Sequence, residues 1–316
     1  MAPARRRLLL AAQLAFVAAV VWFAVDRLAG QWGAVRAQAG DIRPVWSYIA
    51  AASGIVLGAY ALLIQTWRAV VAAWGARIRF IPATRIFFVS NLGRYLPGKV
   101  WQITAMGMMA QRAGVEPVAA AGSALLVSVI NVMTGLAVAL AFGAAQALPL
   151  GGTALAAFVV TGLAVATAPR LVPWAVRAAS RVLRRELLVP SLPSRAIWMA
   201  GAGTTAAWIA YGVAFRIFSE AVAPSATGAV AGYIAVYTAS YLVGFLNPLT
   251  PGGLVVRETA LVAGLAQLRL MSAPDAVVVA VASRLWLTAV EVAPGLAFLA
   301  YDAFRQLSHA SREPTG

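Results

Sequence analysis

The chain has no cysteine and a single histidine, His309. Disulfides, thiolate metal sites and thiol catalysis are excluded by the first absence. Zinc chemistry and a Ser-His-Asp triad find no support with the one histidine in a polar C-terminal stretch. Lysine is nearly absent as well: 24 arginines and one lysine, Lys99, face 10 acids, for a formal charge of +15. Charged residues make up only 11% of the chain, against 62% hydrophobic, far from the balance of a soluble domain. The arginine excess fits loops on the cytoplasmic side of a membrane. Nucleic-acid binding needs a clustered, solvated basic face with base-reading groups, and the sequence carries none. No cofactor is expected.

What is present are long apolar runs, several beyond the ~20 residues that cross a bilayer. They predict an all-α polytopic membrane protein, with spans near 8–25, 44–66, 117–145, 152–168, 196–219 and 276–301. The segments 82–110 and 227–268 are also apolar, but each is interrupted. Arg5-Arg6-Arg7 ahead of the run 8–25 reads as a retained first span, because a cleaved signal has a core of only ~7–15 residues with its cleavage site close behind. The arginine-rich segments 67–85 and 169–195 are expected in the cytoplasm, as are both termini.

The interruptions are Leu96-Pro97-Gly98-Lys99 and Leu249-Thr250-Pro251-Gly252-Gly253, with Pro97 and Pro251 154 positions apart (251 − 97). Shifting the first half by that amount superposes 44–66 on 196–219 and 117–145 on 276–301 within a few residues, and the first span about ten residues less well. Each half then reads as span, span, broken hairpin, span. Three spans per half is an odd number, so the halves have opposite orientation. The expected organisation is one transmembrane domain over 1–316, with about six full spans and two re-entrant hairpins. Its inverted pseudo-repeats are 1–150 and 151–305, followed by a polar tail over 306–316.

Broken helices are tolerated at membrane depth only where the freed backbone groups are buried in protein or line a polar cavity. Proline removes a helix hydrogen bond, and glycine accepts backbone angles closed to other residues. Freed N–H groups can then face an anion. Both breaks carry charge: Arg94 and Lys99 at the first, with Gln102 beyond it, and Arg257 and Glu258 after the second. Two readings stand for the first pair, anion binding or snorkelling and pairing with Glu258. Two stand for Arg257 also, a bidentate phosphate fork or a local ion pair with Glu258. Arg284 and Glu291 share one face of the last span and are expected to pair with other helices rather than with each other. Asn131, in mid-span, reads as a helix–helix contact rather than a ligand. The candidate binding set is therefore Arg94, Pro97, Gly98, Lys99, Gln102, Pro251, Gly252, Gly253, Arg257, Glu258, Arg284 and Glu291. Arg94, Lys99, Arg257 and Glu258 are expected around one cavity, since separate burial of each charge is costly.

The stretches Asn91-Leu92-Gly93-Arg94-Tyr95-Leu96-Pro97-Gly98-Lys99-Val100-Trp101-Gln102 and Pro248-Leu249-Thr250-Pro251-Gly252-Gly253-Leu254-Val255-Val256-Arg257-Glu258 resemble the flippase-like integral membrane family. That family includes the transmembrane region of lysylphosphatidylglycerol synthases. One departure is Val255, where the family favours a small residue, usually glycine; close backbone packing after the second break is in question there. The resemblance implies movement of an anionic lipid or a polyprenyl-phosphate-linked precursor between leaflets of the cell membrane, with envelope-building enzymes as partners. No aminoacyl-transferase domain accompanies it, so lysyl-lipid synthesis is not implied. A membrane glycosyltransferase using a polyprenyl-phosphate donor, and a non-transporting partner of envelope-building enzymes, are the alternatives.

Overall fold

A computed structural model describes residues 43–95, 100–144, 167, 194–247 and 255–310. Within them lie α1 (Trp46–Ala73), α2 (Phe80–Asn91), a 3-10 turn (Leu92–Tyr95), α3 (Val100–Arg112) and α4 (Pro117–Ala144). There follow α5 (Ser194–Val222), α6 (Val230–Leu246), α7 (Val256–Gln267) and α8 (Ala273–Ala310). The expected spans 8–25 and 152–168 lie outside the described residues, as does most of the segment 169–195.

The ends of the helices follow from local chemistry. Past α1, Gly75 adopts φ +83°, and Ala76 N–H returns to the Val71 carbonyl at 3.3 Å. Gly114 does the same past α3, with φ +90° and Val115 N–H on Ala110 at 3.1 Å. Left-handed angles of this kind favour glycine. Pro117 opens α4, where its missing N–H is not needed, and Glu116 caps that turn by accepting from Ala119 N–H at 3.1 Å.

Among the described residues three helices are long and apolar enough to cross a membrane, in α1, α4 and α8. At 28 residues, α1 runs about 42 Å at 1.5 Å per residue. The expected span 196–219 forms α5, 29 residues long, but falls outside that apolar group. Threonines and glycines, with Arg216 and Glu220, dilute it, and it packs instead along α1 and against α4 and α6. Helix α8 continues to Ala310, so the first half of the expected tail is helical.

Close helix contacts rest on small residues, as is usual in lipid. A Cβ on Gly212 of α5 would lie 2.5 Å from the Ile234 Cα of α6, and one on Gly295 of α8 would lie 3.0 Å from the Phe88 carbonyl of α2. Gly295 follows Pro294, which leaves the α8 backbone one hydrogen bond short. Helix α4 packs on α6, and α8 on α2.

Contacts at the two ends of the bundle order the segments. At one end Arg85, early in α2, pairs with Asp302, late in α8, at 2.5 Å. At the other, Val45 N–H bonds the Ala221 carbonyl at 3.0 Å, and Thr227 N–H bonds the Leu270 carbonyl at 2.8 Å. The second contact joins the segments just before α6 and just after α7, so these two arms begin and finish together.

Candidate functional site

The first ion centre forms where α2 gives way to the 3-10 turn. A residue preceding proline is biased away from helix, so α2 ends ahead of Leu96-Pro97 and leaves Arg94 on the turn. The two arms nearly touch here: a Cβ on Gly93 would sit 3.0 Å from the Gln102 backbone nitrogen. The Gln102 amide donates to Asn91 Oδ1 at 2.6 Å and ties α3 to α2. From the turn, Arg94 Nη1 reaches Glu291 Oε1 of α8 at 2.6 Å. The Tyr60 hydroxyl of α1 donates to the same oxygen at 2.5 Å.

The second centre sits at the start of α7. Arg257 and Glu258 occupy its first turn, 4% and 8% exposed. Glu258 Oε1 lies 3.5 Å from Arg257 Nη1 and 3.6 Å from Arg284 Nη1 of α8. These are long contacts for charge-assisted bonds. Arg257 Nη2 and Glu258 Oε2 are buried with no hydrogen-bond partner among the described residues. The helix dipole favours Glu258 at this end and opposes Arg257. Arg257 is offset by the Tyr237 ring, whose centroid lies 5.6 Å from its Cζ, a cation–π arrangement. Among the described residues, the Glu258 carboxylate lies within 4 Å of both arginines.

Next to both centres lies a cavity of about 100 Å³. Arg94, Gln102 and Glu291 line it, together with seven aromatic rings. Four of the rings close a circuit, with Trp208 and Tyr211 contributed by α5 and Tyr237 and Tyr241 by α6. Their centroids are 6.2 Å (Trp208–Tyr211), 6.1 Å (Tyr211–Tyr237), 6.5 Å (Tyr237–Tyr241) and 5.1 Å (Tyr241–Trp208) apart. The spacings i,i+3 in α5 and i,i+4 in α6 put each pair on one helix face. Trp208 Nε1 donates to the Asn131 carbonyl at 2.9 Å, which fixes the indole.

The candidate residues thus divide into two groups. Arg94, Gln102 and Glu291 meet at the cavity wall, whereas Arg257, Glu258 and Arg284 meet behind Tyr237 and do not line it. This corrects the expectation of one cavity holding Arg94, Arg257 and Glu258: bulky aromatic side chains from α5 and α6 fill the space between them. Arg94 pairs with Glu291 rather than Glu258, because Pro294-Gly295 lets α8 approach α2 one turn beyond Glu291. Pro97, Gly98, Lys99, Pro251, Gly252 and Gly253 lie outside the described residues. Sequence reasoning missed Tyr60, the aromatic circuit and the place of Asn131 on the cavity wall. A legible signal existed in Tyr233, Tyr237 and Tyr241, a tyrosine every fourth residue along an otherwise apolar helix.

Val255 is 65% exposed with φ +70°. A backbone angle of this kind favours glycine on conformational grounds, whereas the exposure of Val255 removes close packing as a reason for a small residue there.

A family described as Lysylphosphatidylglycerol synthase TM region matches residues 10–295. The chain belongs to that family. No curated protein matches it. Membership in the lysylphosphatidylglycerol synthase TM region family, with the long apolar helices, makes this a multi-pass membrane protein. It also points to a function concerned with membrane lipids.

Proposed function

We propose that this member of the family is a flippase-like transporter that moves an anionic lipid, or a polyprenyl-phosphate-linked precursor, between the leaflets of the cell membrane. The observation that carries the reading is the buried centre of Arg257, Glu258 and Arg284. Its buried Arg257, with Nη2 unpartnered among the described residues, stands behind Tyr237, one ring of an aromatic, partly polar cavity. Ionisable groups held within spanning helices are costly and by default functional. A phosphate would supply the oxygen acceptors that Arg257 Nη2 lacks, taken as a bidentate fork at the start of α7. Lys99 would add a point charge from the first break.

An inverted repeat supplies the motion. It is supported by the packing of α1 along α5 and by the paired contacts of α4 on α6 and α8 on α2. Hairpins α2–α3 and α6–α7 would enter from opposite faces and rock against the remaining helices, alternately opening the site. The Arg85–Asp302 pair favours the C-terminus and the start of α2 on one side, the cytoplasm by their arginines. Envelope-assembly enzymes fit as partners that supply or consume the lipid.

The test is scrambling of a fluorescent anionic phospholipid in proteoliposomes, normalised to folded protein. Arg257→Gln should abolish transport while membrane insertion persists, and Arg257→Lys should retain part of it because lysine cannot form the fork. Undiminished rates in Arg257→Gln would refute the headgroup role of Arg257.

A further inference from the structure

Hydrogen-bonding capacity in the cavity wall divides by helix. On the side of α1, the 3-10 turn and α8 it is in use: Tyr60 donates to Glu291 Oε1, and Arg94 reaches the same oxygen at 2.6 Å. The two indoles in the wall are satisfied as well. Trp67 Nε1 donates to Ser123 Oγ at 3.1 Å, and Trp208 Nε1 to the Asn131 carbonyl at 2.9 Å. On the side of α4, α5 and α6 four groups remain, the Tyr211, Tyr237 and Tyr241 hydroxyls and the Asn131 carboxamide. They line the cavity and have no hydrogen-bond partner among the described residues. Unlike Arg257 Nη2, none of them is sealed inside the protein.

Phenol hydroxyls and carboxamides each donate and accept. A phosphate oxygen only accepts and an ammonium only donates, so either leaves part of this capacity idle, and an acyl chain uses none of it. A ligand hydroxyl does both. The rings add a second constraint. Trp208, Tyr211, Tyr237 and Tyr241 close a circuit with centroids 5.1 to 6.5 Å apart, and the faces of such rings carry the negative lobe of the quadrupole. They suit C–H groups, which are weakly positive, better than phosphate oxygens. A sugar ring presents C–H faces and O–H edges together. At roughly 10–15 Å³ for each water, about 100 Å³ holds several, room for one sugar rather than a chain of them. We infer that the cavity binds a neutral sugar, its hydroxyls on Tyr211, Tyr237, Tyr241 and Asn131 and its C–H face on the aromatic circuit. The site stands on the cavity alone; Arg257 does not line it.

The full-length protein in phosphatidylcholine nanodiscs, followed by tryptophan fluorescence and lipid co-purification, tests this with glucosyl diacylglycerol and diacylglycerol. These neutral lipids differ only in the sugar and carry no phosphate, so the result is separate from the reading of Arg257. The glycolipid should bind at least about tenfold tighter, because a site built to bond hydroxyls penalises the analogue lacking them. Tyr241→Phe removes one hydroxyl and keeps the ring; it should lower that preference by about threefold. Combined with Tyr211→Phe it should nearly abolish the preference, in variants shown by size exclusion to be folded. Excess free glucose distinguishes the two sources of the sugar: competition assigns the free sugar, and no competition a lipid-borne one. Equal binding of the two lipids, or binding of neither, overturns the sugar site and leaves the anionic-lipid reading of Arg257 standing. A preference that survives both the single and the double variant overturns the assignment to this cavity.

Discussion

Arg94 and Glu291, 197 positions apart in the chain, meet at 2.6 Å, and Tyr60 donates to the same carboxylate oxygen. Three elements, α1, the 3-10 turn and α8, converge on one oxygen. Glu291→Met or Arg94→Met alone would each remove one side of this pair beside the cavity. Removing one member of a buried pair costs about 3–5 kcal/mol, and at 22% and 12% side-chain exposure the lower part of that range is expected. The Arg94→Met, Glu291→Met double variant should regain much of the loss. Thermal unfolding of the four proteins in detergent, arranged as a double-mutant cycle, measures it; additive effects would show that the two do not interact.

Val255 holds φ +70° and ψ −49° at the start of α7. A β-branched residue is strained there, by about 1–3 kcal/mol, and glycine is not. Val255→Gly should raise thermal stability, net of the added freedom of the unfolded chain, whereas Val255→Ile should not. A lower melting temperature for Val255→Gly would argue that the angle carries no strain.

Two glycines should respond in opposite ways to alanine. A Cβ on Gly212 would meet the Ile234 Cα at 2.5 Å, and backbone cannot move aside cheaply; one on Gly58 meets nothing within 4 Å. Gly212→Ala should cost about 1–3 kcal/mol by overpacking α5 against α6. Gly58→Ala should be neutral or stabilising by up to about 1 kcal/mol through helix propensity. Size-exclusion profiles after graded heating separate these outcomes.

Both termini are predicted to be cytoplasmic. The chain has no native cysteine, so single cysteines report sidedness without background. A cysteine at Ser308 should resist membrane-impermeant maleimide in intact cells and react after permeabilisation. Labelling from outside would reject this topology and the inverted repeat with it.

The sequence by itself determined the membrane class and the run of the main helices. Length and apolarity reflect the bilayer directly, and local chemistry at Gly75, Gly114 and Pro117 sets where helices stop and start. It also singled out Arg94, Gln102, Arg257, Glu258, Arg284 and Glu291, because charged or polar side chains in apolar segments stand out whatever their partners. Only the tertiary structure decided who those partners are. Arg94 finds Glu291 because α2 and α8 come together at Gly295. Arg257 finds Tyr237 and Glu258 rather than the cavity because rings from α5 and α6 occupy the intervening space. Local sequence constrains the backbone over a few residues. Which faces of distant helices meet depends on the packing of whole side chains, and that packing makes four unremarked aromatic residues into one wall.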